Sequence, residues 1–259
     1  MKITVLAENT SCCEALCAEH GLSLFIETNG HRVLFDMGQT DAFARNAERL
    51  GIDLGTVDIA VLSHGHYDHG GGIRAFLALN ERAPVYVSAL AFGDHYNASN
   101  KYIGLDPSLA GDPRLIPVGE RLELDPSLTL LSCNELERHV PTDPFGLQIR
   151  LGGQLRPDSF LHEQYLLIRE GERRILISGC SHKGILNIAK WFAPDVLVGG
   201  FHLSKLNDAD RLHRVADALL QYPTVYYTGH CTGAEQLQIL KNKMGNRLFG
   251  LSTGENFEI

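Results

Sequence analysis

The sequence predicts an α/β protein in which strands interleaved with helices form sheets covered by those helices. Three observations lead there. Apolar runs of strand length recur along the 259 residues. Helical periodicity falls between several of them. One strand-end signature, Ser or Thr followed by Gly and then His or Cys, returns at separate places in the chain.

Strands are expected first at Ile3–Ala7, Leu22–Glu27 and Arg32–Asp36, the last two joined across Asn29-Gly30, a dipeptide suited to a tight turn. Apolar positions then recur at helical spacing over Ala42–Leu50. A strand at Asp58–Ser63, a helix at Gly72–Asn80 and a strand at Pro84–Ser88 continue the alternation. The stretch Asp94–Pro117 breaks it, being rich in Gly, Pro, Asn and Asp and carrying Tyr96 and Tyr102. Such a segment is either a lid or binding loop, or a solvated connection. Strands resume at Leu128–Cys133, Tyr165–Arg169 and Arg174–Ser178, with Glu170-Gly171 turning the last pair into a hairpin. Helices at Lys183–Phe192, Asp208–Gln221 and Ala234–Met244 then alternate with strands at Asp195–Gly199 and Thr224–Thr228. No repeat, low-complexity tract or linker interrupts this order, so residues 1–259 are expected to form one domain.

Composition narrows the function. A formal charge of −8 argues against a nucleic-acid partner, because phosphate binding needs a basic face. No apolar run approaches the roughly 20 residues that span a bilayer. The N-terminus reads as a strand rather than a secretory signal, which implies a cytoplasmic protein whose six cysteines stay reduced. Cys12, Cys13 and Cys17 cluster without a second Cys or His pair nearby, so they are expected to be structural or incidental. The expected partner is a small-molecule substrate.

The chemistry lies at the strand ends. The signature occurs as Val61-Leu62-Ser63-His64-Gly65-His66, as Ile177-Ser178-Gly179-Cys180-Ser181-His182 and as Tyr227-Thr228-Gly229-His230-Cys231. A looser copy is Val198-Gly199-Gly200-Phe201-His202. Ligand sites of open α/β sheets sit beyond the carboxyl ends of strands, where such loops converge. An isolated histidine is usually a surface or hydrogen-bonded core residue; four such loops together point to a metal. In the first loop Gly65 is expected to ease the turn between His64 and His66, and Asp68 and His69 follow at the mouth of a helix. Imidazoles and a carboxylate within six residues suit zinc.

His64-Xaa-His66-Xaa-Asp68-His69, preceded by Leu34-Phe35-Asp36-Met37-Gly38, resembles the signature of the metallo-β-lactamase superfamily. Several further segments resemble a subgroup related to 7,8-dihydropterin-6-yl-methyl-4-(β-D-ribofuranosyl)aminobenzene 5'-phosphate synthase. They are Glu8-Asn9-Thr10, Glu19-His20-Gly21-Leu22-Ser23, Ser178–Ile185, Gly199–Leu203 and Gly229–Gly233. The resemblance spans essentially the whole chain. It implies an αββα sandwich with metal bound at one edge between two mixed sheets. It also implies that His64 and His66 belong to one metal site, and Asp68, His69 and His230 to a second.

Two departures matter. The superfamily usually places a bridging Asp where this chain has Cys180. The third histidine of the first site has no clear match in Asp158–Gln164. His182 is therefore expected to supply the missing nitrogen, with His162 a weaker substitute and Cys180 an optional thiolate ligand. His202, Asn9 and His20 are expected to support ligands or touch substrate, and Lys183 to meet a phosphate at a helix start.

The implied protein is a hydrolase of a small phosphorylated or ester-like metabolite. It would use two zinc ions per chain, or another divalent transition metal, with Asp68 as the catalytic carboxylate. A pterin-type transferase displacing diphosphate and a metal-binding sensor without turnover are the alternatives. A flavodiiron protein usually has Glu at the position of His66. A secreted lactamase fits neither the N-terminus nor Cys180, and a ribonuclease fits the acidic balance poorly.

Overall fold

The computed structural model describes all residues 1–259 and holds two seven-stranded sheets and one small three-stranded sheet. The first sheet runs in the order Asn256–Glu258, Lys2–Ala7, Ser23–Thr28, His31–Phe35, Ile59–Val61, Val85–Ser88, Leu115–Val118. The second runs Leu248–Gly250, Val225–Thr228, Val196–Val198, Arg173–Ile177, Tyr165–Glu170, Leu128–Leu131, Arg121–Asp125. Both are mixed. In each, an antiparallel hairpin leads into three successive parallel pairings.

Side-chain alternation along the strands explains the layering. Leu24, Ile26, Val33, Phe35, Ile59 and Val61 face Leu166, Ile168, Ile175, Ile177, Val196 and Val198 in one apolar layer between the sheets. The intervening residues Phe25, Leu34 and Ala60 pack outward against Phe43, Ala47, Ile73 and Phe76 on two helices, Ala42–Arg49 and Ile73–Leu79. On the other side, Tyr165, Leu167, Leu176, Leu197 and Tyr226 meet the helices Ile185–Phe192, Ala209–Leu219 and Ala234–Met244. A strand buried on both faces needs apolar residues at both parities, which is why these strands read as continuous apolar runs. The result is a helix–sheet–sheet–helix sandwich.

The stretch 94–117 is more ordered than its composition suggests. His95–Tyr96 joins the small sheet with Gln148–Leu151 and Gln154–Pro157, and Leu115–Val118 forms the edge of the first large sheet. Ile103, Leu105 and Leu109 are buried, and the Tyr67 N–H donates to the Ile103 carbonyl. The segment is therefore anchored against the loop that carries His66 rather than standing off as a free lid. No helix is long and apolar enough to cross a membrane.

Candidate metal centre

The site forms where parallel strands end. Ser63–His69 follows the strand Ile59–Val61, Cys180–His182 follows Arg173–Ile177, His202 follows Val196–Val198, and His230 follows Val225–Thr228. Asp36, Ser181, His202 and His230 all have positive φ, between 48° and 59°. Strained non-glycine backbone held in place by its surroundings is a mark of functional loops.

Asp36 organises the first loop. Its Oδ1 accepts the Ser63 N–H at 2.7 Å, and its Oδ2 accepts the Ser63 hydroxyl at 2.7 Å and His69 Nδ1 at 2.6 Å. Because the Ser63 proton goes to Asp36, the Ser63 oxygen accepts from His64 Nδ1 at 2.8 Å. Both histidines thus carry a proton on Nδ1 and turn Nε2 into the site; burial lowers the His69 pKa, but the Asp36 and Asp68 carboxylates outweigh it and push it up. Gly65 is needed for space rather than for a left-handed backbone, since a Cβ there would lie 2.0 Å from the Ala91 carbonyl oxygen.

His230 is held from the N-terminal segment. Asn9 Oδ1 lies 2.9 Å from His230 Nδ1, and Glu8 accepts the His230 backbone N–H. His230 Nε2 is then 3.2 Å from His69 Nε2 and 3.4 Å from Asp68 Oδ2. His20, half exposed, places Nε2 3.3 Å from the same Asp68 oxygen.

His182 lies with His64 and His66; its Nε2 is 3.2 Å from His64 Nε2. Glu163 fixes that loop by accepting the His182 N–H at 2.6 Å and the Lys183 N–H at 3.0 Å. Lys183 does not meet an incoming phosphate. Its ammonium is buried against the carbonyls of Ser132 and Glu163, where burial lowers its pKa to about 8. His162 accepts the Gly65 N–H at Nδ1, 2.9 Å away, so its proton sits on Nε2 and the ring has no lone pair to offer a metal. Cys180 places its sulfur 3.2 Å from His69 Nε2. Neither ring nitrogen of His202 has a hydrogen-bond partner.

Two groups share His64, one with His66 and His182 and one with His69 and Cys180, and a third, His20, Asp68 and His230, adjoins them through His69. Burial holds His64, His66 and His182 well below the usual histidine range, which keeps them neutral. Burial also opposes ionisation of Asp68, but His69, His20 and His230 outweigh it and hold the carboxyl well below its ordinary value. Burial and the neighbouring Cys231 push the Cys180 thiol well up. Neutral imidazoles turned lone pair to lone pair, beside an ionised carboxylate and a thiol, fit a borderline divalent transition metal. The buried, unpartnered His66 Nε2 and His182 Nδ1 show that protein contacts alone do not satisfy these rings.

Sequence reasoning does not single out Glu163 or His95 for a role. Glu163 carries only one mark, a charge at the start of an apolar run; His95 sits within the stretch taken as irregular.

A four-layer α/β sandwich with histidines, an aspartate and a cysteine at its strand ends defines a metal-binding protein of the metallo-β-lactamase type. Residues 18–230 match the metallo-beta-lactamase superfamily, and the chain belongs to it. Over 258 residues it is 31% identical to an uncharacterized protein of Methanocaldococcus jannaschii, covering 96% of each chain. It is 28% identical over 261 residues to the same organism's 7,8-dihydropterin-6-methyl-4-(beta-D-ribofuranosyl)-aminobenzene-5'-phosphate synthase, covering 90% of this chain and 88% of that one. The crystal structure of Tm1679, a metal-dependent hydrolase of the beta-lactamase superfamily, superposes with a TM-score of 0.85 at 30% identity. That match covers 100% of this chain and 99% of the other.

Proposed function

We propose that this chain is a metal-dependent hydrolase that uses two zinc ions to cleave a phosphoester or ester bond in a small anionic metabolite. The observation that carries this reading is the continuity of the cluster from His182 through His64 and His69 to His230. In it, His64, His66 and His182 would hold one ion, and Asp68, His69 and His230 the other, with the Cys180 sulfur, beside His69 Nε2, as a further ligand available to it. Bound there, zinc supplies Lewis acidity toward a substrate oxygen and lowers the pKa of water.

The chain's own residues do the rest. Asp68 is held too acidic to store a proton near neutral pH, so it orients an attacking water rather than acting as a strong base. His20 Nε2, beside Asp68 Oδ2 and exposed to solvent, passes the released proton outward. A cavity of about 280 Å³ adjoins His182 and is lined by Phe145, Ile185, His202, Arg211 and Arg214. Two arginines one turn apart suit an anionic group, and the unpartnered ring of His202 is free to hydrogen-bond a substrate. The similarity to a solved metal-dependent hydrolase supports the reaction class.

The test is turnover. Zinc-loaded protein is expected to hydrolyse 4-nitrophenyl phosphate, bis(4-nitrophenyl) phosphate or a 4-nitrophenyl carboxylate ester, to lose activity with a chelator, and to regain it with zinc. Protein that binds no metal after reconstitution overturns the reading. A second reading is favoured by the synthase relative alone. Release of diphosphate from a pterin diphosphate only when an arylamine is present would select a transferase instead.

A further inference from the structure

The cavity beside His182 is lined by donors that no protein group accepts. The helix Ile185–Phe192 begins there at Gly184, and no side chain caps it. Along that helix the first N–H with an acceptor is that of Ile188, on the Gly184 carbonyl. The N–H groups of Ile185, Leu186 and Asn187 are therefore left to an outside partner, and all three residues line the cavity. Arg211 and Arg214, one turn apart on Ala209–Leu219, line it as well. Neither is in an ion pair, whereas Arg45, Arg74 and Arg121 each hold a carboxylate. His182, 3% exposed, turns Nε2 to His64 at 3.2 Å, and its Nδ1 is buried without a partner.

Their charge and the size of the space decide what fits. Unsatisfied N–H groups leave about half a positive charge at a helix start. The two guanidiniums add to it, against a single lining carboxylate, Asp143, whose Oδ1 accepts the Phe145 N–H at 2.8 Å. Leu203, Leu206 and Val215 make much of the remaining wall apolar, so an anion here is less screened than on open surface. Roughly 150 Å³ admits a benzene. The cavity's volume of about 280 Å³ therefore has room for one oxyanion and a short carbon skeleton, and too little for a polymer.

We infer that this cavity is an oxyanion subsite, in which the start of the helix Ile185–Phe192 together with Arg211 and Arg214 holds a second carboxylate or phosphate of the substrate, one that does not react. The substrate is thereby a small molecule with two anionic groups. The first of them rests on the proposed hydrolysis at the metal centre; the second is set by the cavity. Helix N–H groups and guanidiniums are the donors that oxyanions take elsewhere. They also replace Lys183 as the phosphate contact expected at this helix start, since its ammonium already donates to Ser132 and Glu163.

Chelated, metal-free protein isolates the subsite, because no ion is then present to hold an anion. Calorimetric titration with inorganic phosphate is expected to show one site, weakened at least about 10-fold when Arg211→Gln and Arg214→Gln are combined. Amide NMR of the parent should move the N–H signals of Ile185, Leu186 and Asn187 as phosphate binds. No binding by the parent, an unchanged affinity in the double variant, or shifts confined to other amides overturns the inference, while turnover by zinc-loaded protein tests hydrolysis separately. On zinc-loaded protein, 3-phosphonopropanoate and 4-phosphonobutanoate, each with two anionic groups on one chain, should bind at least about 10-fold more tightly than methylphosphonate. The double variant should lose that margin. If neither compound shows a margin in the parent, the cavity takes a free anion rather than part of the substrate, and the inference fails. A parent that shows the margin but hydrolyses none of the nitrophenyl esters sinks the hydrolase and leaves the two-anion site standing.

Discussion

A metal ligand is specified twice, once by its own chemistry and once by the group that holds its other nitrogen. Asp36 shows the second requirement, since one carboxylate fixes the tautomers of His69 directly and of His64 through Ser63. Asp36→Asn replaces one of two oxygens that accept three donors between them by an amide donor, and is expected to weaken metal binding by about 10–100-fold while the ligands themselves are intact. An affinity equal to the parent's would show that these tautomers do not depend on Asp36. The same reasoning separates His182 from His162. His182→Ala removes a bare nitrogen from the group with His64 and His66, and should cost at least as much as Asp36→Asn. His162→Ala removes a ring already protonated on its inward nitrogen, and should cost clearly less. Cys180→Ser should leave the ion at His64, His66 and His182 in place and alter occupancy beside His69. Isothermal titration of each variant reads these differences, and the reverse order for His182 and His162 would move the missing ligand to the residue before the hairpin.

Elements deliver these residues by close packing of strand ends, and here glycine is indispensable. A Cβ on Gly179 would lie 2.1 Å from Ser63 Oγ and 3.0 Å from His64 Nδ1, so the second sheet's loop presses directly on the first sheet's ligand loop. Gly179→Ala is expected to cost about 1–3 kcal/mol by overpacking and to disturb metal binding through Ser63. Gly111→Ala, with nothing within 4 Å of its added methyl, should stay within about 0.5 kcal/mol of the parent. Urea unfolding of the two variants checks the contrast, and equal stability would mean that the loops are looser than this packing requires. Much of this layout was legible in the sequence. The strands at Ile59–Val61, Arg173–Ile177 and Val225–Thr228 and the loops after them lie where apolar runs and Gly-His or Gly-Cys signals put them. Several features were not, among them the strands Leu115–Val118, Arg121–Asp125, Gln148–Leu151, Gln154–Pro157, Leu248–Gly250 and Asn256–Glu258. The strand His95–Tyr96 pairs over only two residues, too few to leave a periodic signal. The ammonium of Lys183 turns inward because Ser132 and Glu163 offer carbonyls there, a tertiary contact that no local pattern reports.

For the whole molecule, the buried rings of His64, His66, His162 and His182 make stability depend on pH in one direction, opposed only by His69, which Asp36 and Asp68 push the other way. Burial, with the nearby His95 acting in the same sense and the Asp158 carboxylate opposing, lowers the His162 pKa from 6.5 to about 4. Burial displaces His64, His66 and His182 in the same direction. Above pH 6.5 these rings are neutral in both folded and unfolded chains, and their contribution to stability is fully present. Between 6.5 and about 4 the unfolded chain holds a proton that the folded His162 does not, so acidification favours unfolding. At about 1.4 kcal/mol per pKa unit, His162 alone accounts for a loss of about 3 kcal/mol across that interval. The other three rings add to it. The depressed carboxyls of Asp68 and Asp158 contribute the same sign only at lower pH, because in the unfolded chain they begin to bind protons near the ordinary aspartate value of 3.8. Chelated, metal-free protein should therefore show a urea midpoint that begins to fall near pH 6.5 and keeps falling to pH 4.5. His162→Gln, which keeps an acceptor for the Gly65 N–H but has no ring to titrate, should flatten part of that slope. A midpoint level from pH 7.5 to 4.5 would mean that the histidines are protonated or solvated in the folded chain, and the account of a dry, neutral imidazole cluster would fall with it.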